Sequence, residues 1–226
     1  LAVVTVANHA RMQLIKRGIP SDKITVIHNA VKDLSPQQPA TDLRLKWRLH
    51  WNIKDDDILI GAVGRLDPIK GQKYLIRAFR SIGAQYKSVK LIIIGDGPER
   101  ARLETLIRKS PFADRIIMAG NIPNADQVLP AFDIYVLPSL SECHSIALLE
   151  AMRSGLPIIA TLVGGNSESI INEREGLIIP PGDSGSLAAA LIRLLMDNTL
   201  CNRLGRDARE RYLRDFTQDV MFKKTA

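Results

Sequence analysis

Residues 58–94 read ILIGAVGRLDPIKGQKYLIRAFRSIGAQYKSVKLIII, and this stretch decides the fold. Two short runs, 58–63 and 89–94, are apolar almost throughout, as strands are when helices cover both faces of a parallel sheet. Between them, the segment 71–82 places Tyr74, Ala78 and Ile82 on one helical stripe. The stretch therefore predicts a strand, a crossover helix and a second strand.

The same alternation extends in both directions along the chain. Further strands are predicted at 3–6, 24–27, 115–119, 134–137, 158–161 and 177–179, and further helices at 98–109, 145–154 and 184–196. Asp183 precedes the last of these helices and is a suitable cap for it. We therefore expect an α/β protein with a doubly wound, Rossmann-like parallel sheet.

Residues 43–53 fit two patterns. Apolar residues at every second position indicate a strand, whereas the four-residue spacing of Leu43 and Trp47 indicates a helix. We favour a helix because Asp42 can cap it and because a helix is expected before the strand at 58. Trp47 and Trp51 are then expected to pack on the core, with the basic residues in solvent.

The composition excludes several classes of protein. The chain has 226 residues and 46% hydrophobic residues, which is enough apolar material for a core and excludes intrinsic disorder. Two cysteines, Cys143 and Cys201, exclude a disulfide framework, and the four scattered histidines show no zinc spacing. Aromatic residues make up 5%, too few to interleave with the basic residues for nucleic-acid binding. We expect a protein of a reducing compartment, the cytoplasm, with no nucleic-acid partner.

The positive charge, a formal net +7, gathers in two clusters at 44–54 and 203–214. Both clusters are expected to be solvated helix faces. Attraction to anionic lipid at the inner face of the membrane stays open as an alternative. Such a contact would be peripheral, because no apolar run approaches the ~20 residues that span a bilayer.

A domain boundary is predicted at 33–41, where the polar, proline-rich stretch 35–39 has no period. Residues 1–34 would then form a β-α-β fragment beside a main domain of residues 35–226. The first residues lack an initiator Met and a basic flank, so they predict an interior strand rather than a secretion signal. The sequence is therefore expected to be part of a longer protein.

The turns that follow the strands carry the candidate chemistry, because ligands of open parallel sheets bind beyond the carboxyl ends of the strands. After the strand at 58–63, Gly64, Arg65 and Lys70 offer a bare backbone and two cations, which suggests a phosphate or diphosphate site. Solvated surface cations are the alternative. The next turn, Gly95-Asp96-Gly97, lacks the third glycine of the dinucleotide fingerprint, so a tight turn beside a ligand is favoured.

The turn at 138–152 carries two carboxylates, Glu142 in the loop and Glu150 on the following helix. That helix is expected to begin near Ser145, where free N–H groups could hold an anion. The two carboxylates could accept hydrogen bonds from sugar hydroxyls, although a surface position or a capping role stays open for each. A Cys143–His144 nucleophile pair is disfavoured, because adjacent side chains seldom face each other.

Three groups of residues, in this order and spacing, resemble family 4 retaining glycosyltransferases of the GT-B fold. They are Gly64-Arg65-Leu66 with Lys70-Gly71, then Glu142 separated by seven residues from Glu150, and then Gly155-Leu156-Pro157 with Gly164-Gly165 and Glu168. The similarity extends to 26–31 and 176–183. It implies that residues 35–226 are the donor-binding, C-terminal half of a GT-B enzyme. Residues 1–34 would be the tail of the N-terminal, acceptor-side domain and the interdomain connection.

The resemblance also implies roles for single residues. The implied catalytic residues are Glu142, which would face the transferred sugar, and Arg65 and Lys70, which would contact the donor diphosphate. Further donor-binding positions are Gly64, Glu150 at the ribose hydroxyls, the backbone of Ser145, Ile146 and Ala147 at phosphate or sugar, and Ile122 and Asn124 at the base. The implied substrate is a nucleoside-diphosphate sugar, with no cofactor and no metal. The implied acceptor is a glycan or lipid-linked molecule of polysaccharide or lipopolysaccharide biosynthesis, held by the missing N-terminal domain.

The sequence departs from the family between the two glutamates, where Cys143-His144-Ser145 replaces the usual Gly-Phe-Gly. This departure motivates a second hypothesis, a non-catalytic nucleotide-sugar-binding subunit or interaction module. A third, motivated by Gly95-Asp96-Gly97, is a dinucleotide-dependent oxidoreductase on a similar sheet. An isolated fragment without the acceptor half is expected to be inactive.

Overall fold

The computed structural model describes residues 2–33 and 40–225. Strands within these residues are β1 (Val3–Thr5), β2 (Ile24–Val26), β3 (Ile58–Val63), β4 (Val89–Ile94), β5 (Ile116–Gly120), β6 (Ile134–Leu137), β7 (Ile158–Thr161) and β8 (Leu177–Ile179). The last six form one parallel sheet in the order β5-β4-β3-β6-β7-β8, and β1 pairs with β2 separately, also in parallel. The predicted α/β class and doubly wound sheet are confirmed.

Helices connect and cover the strands. They are α1 (Asn8–Lys16), α2 (Ala40–His50), α3 (Gln72–Ile82), α4 (Arg100–Arg108), α5 (Ile146–Arg153), α6 (Asn166–Ser169), α7 (Ser184–Met196), α8 (Asn198–Asp215) and α9 (Gln218–Thr225). Asp183 caps α7 as predicted, its Oδ1 accepting from the N–H groups of Gly185 and Ser186 at 2.9 and 3.0 Å. A short 3-10 turn at Pro68–Lys70 follows β3, and another at Ala125–Ala131 lies between β5 and β6.

The core lies on both faces of the main sheet. One apolar cluster joins the sheet to α3, α4 and α7, and the other joins it to α5 and to the second half of α8. Strand β3 lies in the middle of the sheet, where it pairs with β4 on one side and β6 on the other. The chain adds strands to one side of β3 and then to the other. In a doubly wound sheet this β3/β6 position is where the connections diverge and leave a crevice at the carboxyl edge.

Helix α2 confirms the helical prediction for this segment but corrects two of its details. It begins at Ala40, so Asp42 lies in the first turn rather than at the cap. Its basic residues are only partly solvated: Lys46 is exposed, but Arg48 is 3% exposed and its guanidinium donates to the carbonyls of Lys54 and Asp57, both at 2.6 Å. The guanidinium fork satisfies carbonyls at the end of the helix and the start of β3, so arginine takes the core-facing position. Leu49 is instead 69% exposed.

The arginines of α8 are also not a free basic face. Each of the five between 203 and 214 lies within ion-pair distance of a carboxylate: Arg203 and Arg206 with Asp207, Arg209 with Asp33, Arg211 with Glu175 and Asp215, and Arg214 with Asp215. Much of the apparent positive charge at this end of the chain is therefore neutralised locally.

The N-terminal unit, residues 2–33 with β1, α1 and β2, packs against the rest of the described chain. Val31 pairs with Thr217 in an isolated parallel bridge, and the buried Tyr212 hydroxyl donates to the Val31 carbonyl at 3.0 Å. The predicted linker at 35–39 lies outside the described residues. The division into an acceptor-side tail and a donor-binding domain stays a prediction.

Candidate functional site

The turns after β3 and β6 lie side by side at the carboxyl edge of the sheet, because these two parallel strands are neighbours. The Leu140 N–H donates to the Ile69 carbonyl at 2.6 Å. Gly71 has a φ of +68° and lies against the Pro138 carbonyl, so a Cβ at this position would collide with that oxygen. The predicted cations Arg65 and Lys70 and the carboxylate Glu142 are thus held on two turns in direct backbone contact.

Lys70 and Glu142 form an ion pair at the centre of this edge, with Nζ 2.6 Å from Oε1. The Ser139 hydroxyl donates to the same carboxylate oxygen at 2.7 Å. The Glu142 side chain is 8% exposed. Gly164, with a φ of +51°, packs against the Glu142 carbonyl so closely that a Cβ would overlap it. Backbone and side chain of Glu142 are therefore both fixed, and two predicted catalytic residues are brought together.

Arg65 borders an open hollow of about 420 Å³ whose lining includes neither Lys70 nor Glu142. Its side chain is 71% exposed, and its Nε lies 4.0 Å from Asp67 Oδ2. Gly64, Gly95 and Ile122 line the same hollow. The structure therefore places the predicted cation Arg65 and the predicted base-contacting residue Ile122 around one space, with the Gly95 turn beside it as expected.

Asn124 lies in the chain between two residues of this lining, Ile122 and Ala125. It has a φ of +53° and precedes the 3-10 turn Ala125–Ala131, and it is not among the residues that line the hollow. Left-handed φ is tolerated by asparagine, which gives Asn124 a local structural role at this turn. Asn121, which the sequence did not single out, lines the hollow in its place.

Helix α5 begins where the sequence predicted. Ser145 caps it, with Oγ accepting from the Leu148 N–H at 3.3 Å, and is 5% exposed. Ile146 is 44% exposed and Ala147 is partly exposed. The first-turn N–H groups of a helix have no acceptor within it, so this end of α5 presents donors and a partial positive charge. The side chain of Ser145 is occupied by capping, which leaves its backbone as the group available to a ligand.

Glu150 lies in the second turn of α5 and is half-buried. Burial raises the pKa of its carboxyl group; Arg153 opposes this shift and Asp126 adds to it. Arg153 itself is paired with Asp126 at 3.0 Å. A half-buried carboxyl group with a raised pKa has few donors to satisfy it, which suits it to accept hydrogen bonds from ligand hydroxyls.

Glu168 forms a network that the sequence did not reveal. Its carboxylate accepts from the Asn8 N–H, the Asn8 side-chain amide and the His9 N–H at 2.8, 3.0 and 2.9 Å, and it lies 2.9 Å from His28 Nε2. Burial opposes ionisation, but these hydrogen bonds lower the pKa of Glu168 to about 2. Glu168 thus caps α1 from a distant part of the chain. The match of Glu168 to the family motif was the only signal in the sequence.

His144 joins this network to the site. Its ring is 4% exposed, lies 5.0 Å from the His28 ring, and has Nε2 3.1 Å from the Ser169 hydroxyl. Burial, with a contribution from His28, lowers its pKa to about 4, although Glu168 opposes the shift. Because this ring points to Ser169 while Cys143 is exposed, the structure lends no support to a Cys143–His144 nucleophile pair.

Two negative findings apply to residues 2–33 and 40–225. No three side chains of His, Cys, Asp or Glu come together there in a way that could hold a metal ion. No helix in this part of the chain is both long enough and apolar enough to cross a bilayer. The absence of a metal from the reaction stays a prediction.

Comparison with known protein sequences identifies one family and several relatives. A model of the family "Glycosyl transferases group 1" matches residues 44–211. An uncharacterized glycosyltransferase of Methanocaldococcus jannaschii is 31% identical over 224 residues, which cover 93% of this chain and 56% of that protein. The N-acetyl-alpha-D-glucosaminyl L-malate synthase of Bacillus anthracis is 28% identical over 96% of this chain and 56% of its own length. The chain thus spans about half the length of these curated relatives.

Solved structures share the fold. Anabaena HepE, in complex with UDP and glucose, superposes with a TM-score of 0.90 at 23% identity, covering 99% of this chain and 61% of that one. The C-terminal domain of a glycosyl transferase group 1 family protein of Francisella tularensis gives a TM-score of 0.72 at 24% identity. That match covers 83% of this chain and 99% of the other. These likenesses show a GT-B type fold for this chain.

Proposed function

This chain belongs to the glycosyl transferases group 1 family, and from that premise we propose that it forms the donor-binding half of a retaining glycosyltransferase. The substrate would be a nucleoside-diphosphate sugar. The observation that carries the proposal is that one turn, 64–71, supplies both Arg65, which borders the open hollow, and Lys70, which pairs with Glu142. Family membership also leaves the dinucleotide-dependent oxidoreductase suggested by Gly95-Asp96-Gly97 without support.

The arrangement suits the charges that develop in sugar transfer. When the bond between the anomeric carbon and the diphosphate oxygen breaks, negative charge grows on the leaving phosphate and positive charge on the sugar ring. Arg65, Lys70 and the first-turn N–H groups of α5 would stabilise the phosphate in place of a metal, and such preorganised donors contribute several kcal/mol. Glu142 would face the sugar. Retention of configuration is carried over from the resemblance.

The ligands of similar solved structures support a nucleotide sugar as the donor substrate. HepE has been crystallised with UDP and with UDP-glucose, which are a nucleoside diphosphate and a nucleotide sugar. We infer a ligand of the same chemical class for this chain, with a glycan or lipid-linked acceptor held by a separate N-terminal domain. A cytoplasmic location, a peripheral membrane contact and a role in polysaccharide or lipopolysaccharide biosynthesis remain predictions of the same proposal.

Calorimetry on the fragment tests donor binding. UDP, GDP and ADP are titrated into the wild-type protein and into Arg65→Ala and Lys70→Ala. Loss of a charge-assisted hydrogen bond costs roughly 1.5–3 kcal/mol, so each variant is expected to bind the preferred nucleotide about 10- to 150-fold more weakly. Arg65→Ala should unfold at the wild-type temperature, because the side chain is largely solvated. Arg80→Ala, an exposed arginine on α3, is the matched control and should bind normally.

A folded wild-type fragment that binds none of the three nucleotides would refute the proposal. A second candidate, a non-catalytic nucleotide-sugar-binding subunit, is favoured by the position of Cys143-His144-Ser145. Cys143 is exposed in the loop where the family has glycine, and the Ser145 hydroxyl is used as a cap. Transfer activity in the complete protein that is lost in Glu142→Gln would exclude this candidate.

A further inference from the structure

Thr161 is a buried residue at the end of β7 with no role in the function proposed above. It is 2% exposed, and its Oγ1 donates to the Ser139 carbonyl at 2.6 Å, with a longer approach of 3.5 Å to the Leu137 carbonyl. The pairing of β6 with β7 ends at Leu137 and Ala160, so the Ser139 carbonyl lies beyond the last pair. A buried carbonyl needs a donor, and here a side chain supplies it.

Ser139 carries this contact to the site. It is 0% exposed, and its hydroxyl donates to Glu142 Oε1 at 2.7 Å. Lys70 Nζ donates to the same oxygen at 2.6 Å. In the part of the chain that the structure describes, no donor is bonded to the other oxygen, Oε2. Oε2 of Glu142 is therefore the oxygen that remains for a ligand hydroxyl.

The two donors to Glu142 Oε1 differ in rigidity. The Lys70 side chain is 26% exposed, has a flexible stem, and has two further N–H donors for a diphosphate. Ser139 has a short side chain with one hydroxyl and lies in the core. Lys70 therefore supplies charge, whereas Ser139 sets the orientation of the carboxylate. Ser139 can do so only because Thr161 fixes its peptide.

The segment after β7 holds the Glu142 loop at a second point. The Gly165 N–H donates to the Cys143 carbonyl at 2.7 Å, so the loop is held on both sides of Glu142. Thr161 is itself held, because the side-chain amide of Asn166 donates to its carbonyl at 3.0 Å. Asn166 is 0% exposed. The end of β7 is thus a rigid support for the loop.

We propose that Thr161 is a positioning residue for sugar transfer. Its hydroxyl fixes the Ser139 peptide, Ser139 holds Glu142 by Oε1, and Oε2 is thereby directed to a hydroxyl of the transferred sugar. This inference rests on the proposed function, because it requires that Glu142 faces the sugar. Thr161 touches no reacting atom and acts only through the orientation of that carboxylate.

Calorimetry on the fragment compares each nucleotide with a nucleotide sugar: UDP with UDP-glucose, GDP with GDP-mannose, and ADP with ADP-glucose. Thr161→Val keeps the branched shape and removes the hydroxyl, whereas Thr161→Ser keeps the hydroxyl. Thr161→Val is expected to bind the preferred nucleotide sugar roughly fivefold more weakly, as for one lost hydrogen bond, and the nucleotide alone within about twofold of the wild type. Thr161→Ser should match the wild type for both ligands.

The matched control is Thr105→Val on α4. It removes a hydroxyl that donates to the Ala101 carbonyl at 2.9 Å, and both affinities should stay unchanged. Both Thr161 variants alter a buried side chain and are expected to lower the free energy of unfolding in urea. Only Thr161→Val should lose the affinity that depends on the sugar, which a purely structural role would not produce.

A double-mutant cycle tests the route through Glu142. In a Glu142→Gln background, Thr161→Val should cause no further loss of nucleotide-sugar affinity, because the two residues act as one unit. Ser139→Ala should show the same loss, specific to the nucleotide sugar, and it carries the test if Thr161→Val does not fold.

Several results would overturn the inference while nucleotide binding still supports the proposed function. They are equal losses for nucleotide and nucleotide sugar in Thr161→Val, no loss in that variant, and a loss that persists in full in the Glu142→Gln background. A wild type that gains no affinity from the sugar would also overturn it, because Glu142 would then not hold the sugar. If the wild type binds none of the three nucleotides, the proposed function fails and this inference fails with it.

Discussion

Glu150 and Glu168 are carboxylates on helices that follow neighbouring strands, but their surroundings differ. Glu168 accepts three hydrogen bonds from Asn8 and His9, lies against His28, and has a pKa lowered to about 2. Glu150 has a pKa raised by burial and, in the described residues, no hydrogen-bonded partner for its carboxylate. The hydrogen bonds of Glu168 hold α1 against the rest of the chain. The carboxylate of Glu150, in contrast, can still accept hydrogen bonds from a ligand.

The difference extends to the cations. Lys70 Nζ contacts Glu142 Oε1 with one of its three N–H donors, whereas the Arg65 side chain is 71% exposed beside an open hollow. The arginines of α8 lie 2.8–3.8 Å from carboxylates, closer than the 4.0 Å between Arg65 Nε and Asp67 Oδ2. Availability to a ligand, rather than the number of charges, therefore distinguishes the site. The predictions below test that distinction through stability and binding measured on the same variants.

Glu168→Ala should have the largest effect on stability. It removes the acceptor for two backbone N–H groups at the start of α1 and for the Asn8 amide, and it leaves His28 without its partner. We expect a loss of roughly 2–4 kcal/mol in the free energy of unfolding, measured in urea, because bonds to charged acceptors are strong but not additive. Amide exchange should accelerate in α1 first.

The matched control is Glu104→Ala, which removes an exposed carboxylate paired with Arg100 on α4. This change should stay within about 0.5 kcal/mol. UDP affinity should be unchanged in Glu104→Ala. A Glu168→Ala protein as stable as the wild type would show that the junction is not held by this carboxylate.

Lowering the pH should reduce the free energy of unfolding in two steps. The pKa of His144 falls from its usual 6.5 to about 4 on folding, so the unfolded chain binds its proton more readily. Stability is therefore full above pH 6.5 and declines between pH 6.5 and 4, by roughly 3 kcal/mol at most. Glu168, with a pKa lowered to about 2, adds a second loss as the pH falls from 4.5 toward 2.

His144→Phe isolates the first step. Urea unfolding at pH 7, 6, 5 and 4 should show a flatter profile between pH 6.5 and 4 in this variant, with the lower-pH loss retained. An unchanged slope in this interval would mean that another group titrates there. Phenylalanine also restores the residue usual in the family, so the fold should be kept.

Ser139→Ala should have the smallest effect. It removes one hydrogen bond to Glu142 Oε1, while Lys70 continues to hold the same oxygen. We expect a loss of about 1 kcal/mol in unfolding free energy and less than a threefold change in UDP affinity. A loss of UDP binding free energy that exceeds the loss of unfolding free energy would place Ser139 among the ligand-binding groups.

Much of the fold was predictable because its signals are local. Five of the strands match the apolar runs residue for residue, as at Ile58–Val63 and Val89–Ile94. The convergence of Lys70 and Glu142 also followed from topology, because turns after adjacent parallel strands share an edge. The ion pair itself, at 2.6 Å, is a detail that spacing could only suggest.

The rest depended on contacts that are distant in sequence. Glu168 caps a helix 160 residues earlier, and nothing near either partner indicates the bond. The burial of Arg48 was missed because an arginine in an amphipathic pattern is normally solvated, and only the fold supplies the carbonyls that receive it. The contact of Asn124 with the base stays a prediction from the family motif, and the structure adds only that this residue has a left-handed φ of +53°.

The closeness of Gly164 to Glu142 has a consequence for protein engineering. The peptide at 164–165 packs against the backbone of the loop that carries Glu142. Four residues after Gly164, Glu168 accepts a hydrogen bond from the backbone of α1. One short piece of chain thereby determines both the shape of the loop that carries Glu142 and the position of the N-terminal unit. Chimeras that exchange the N-terminal unit of this protein should take residues 2–33 and 142–168 from a single parent.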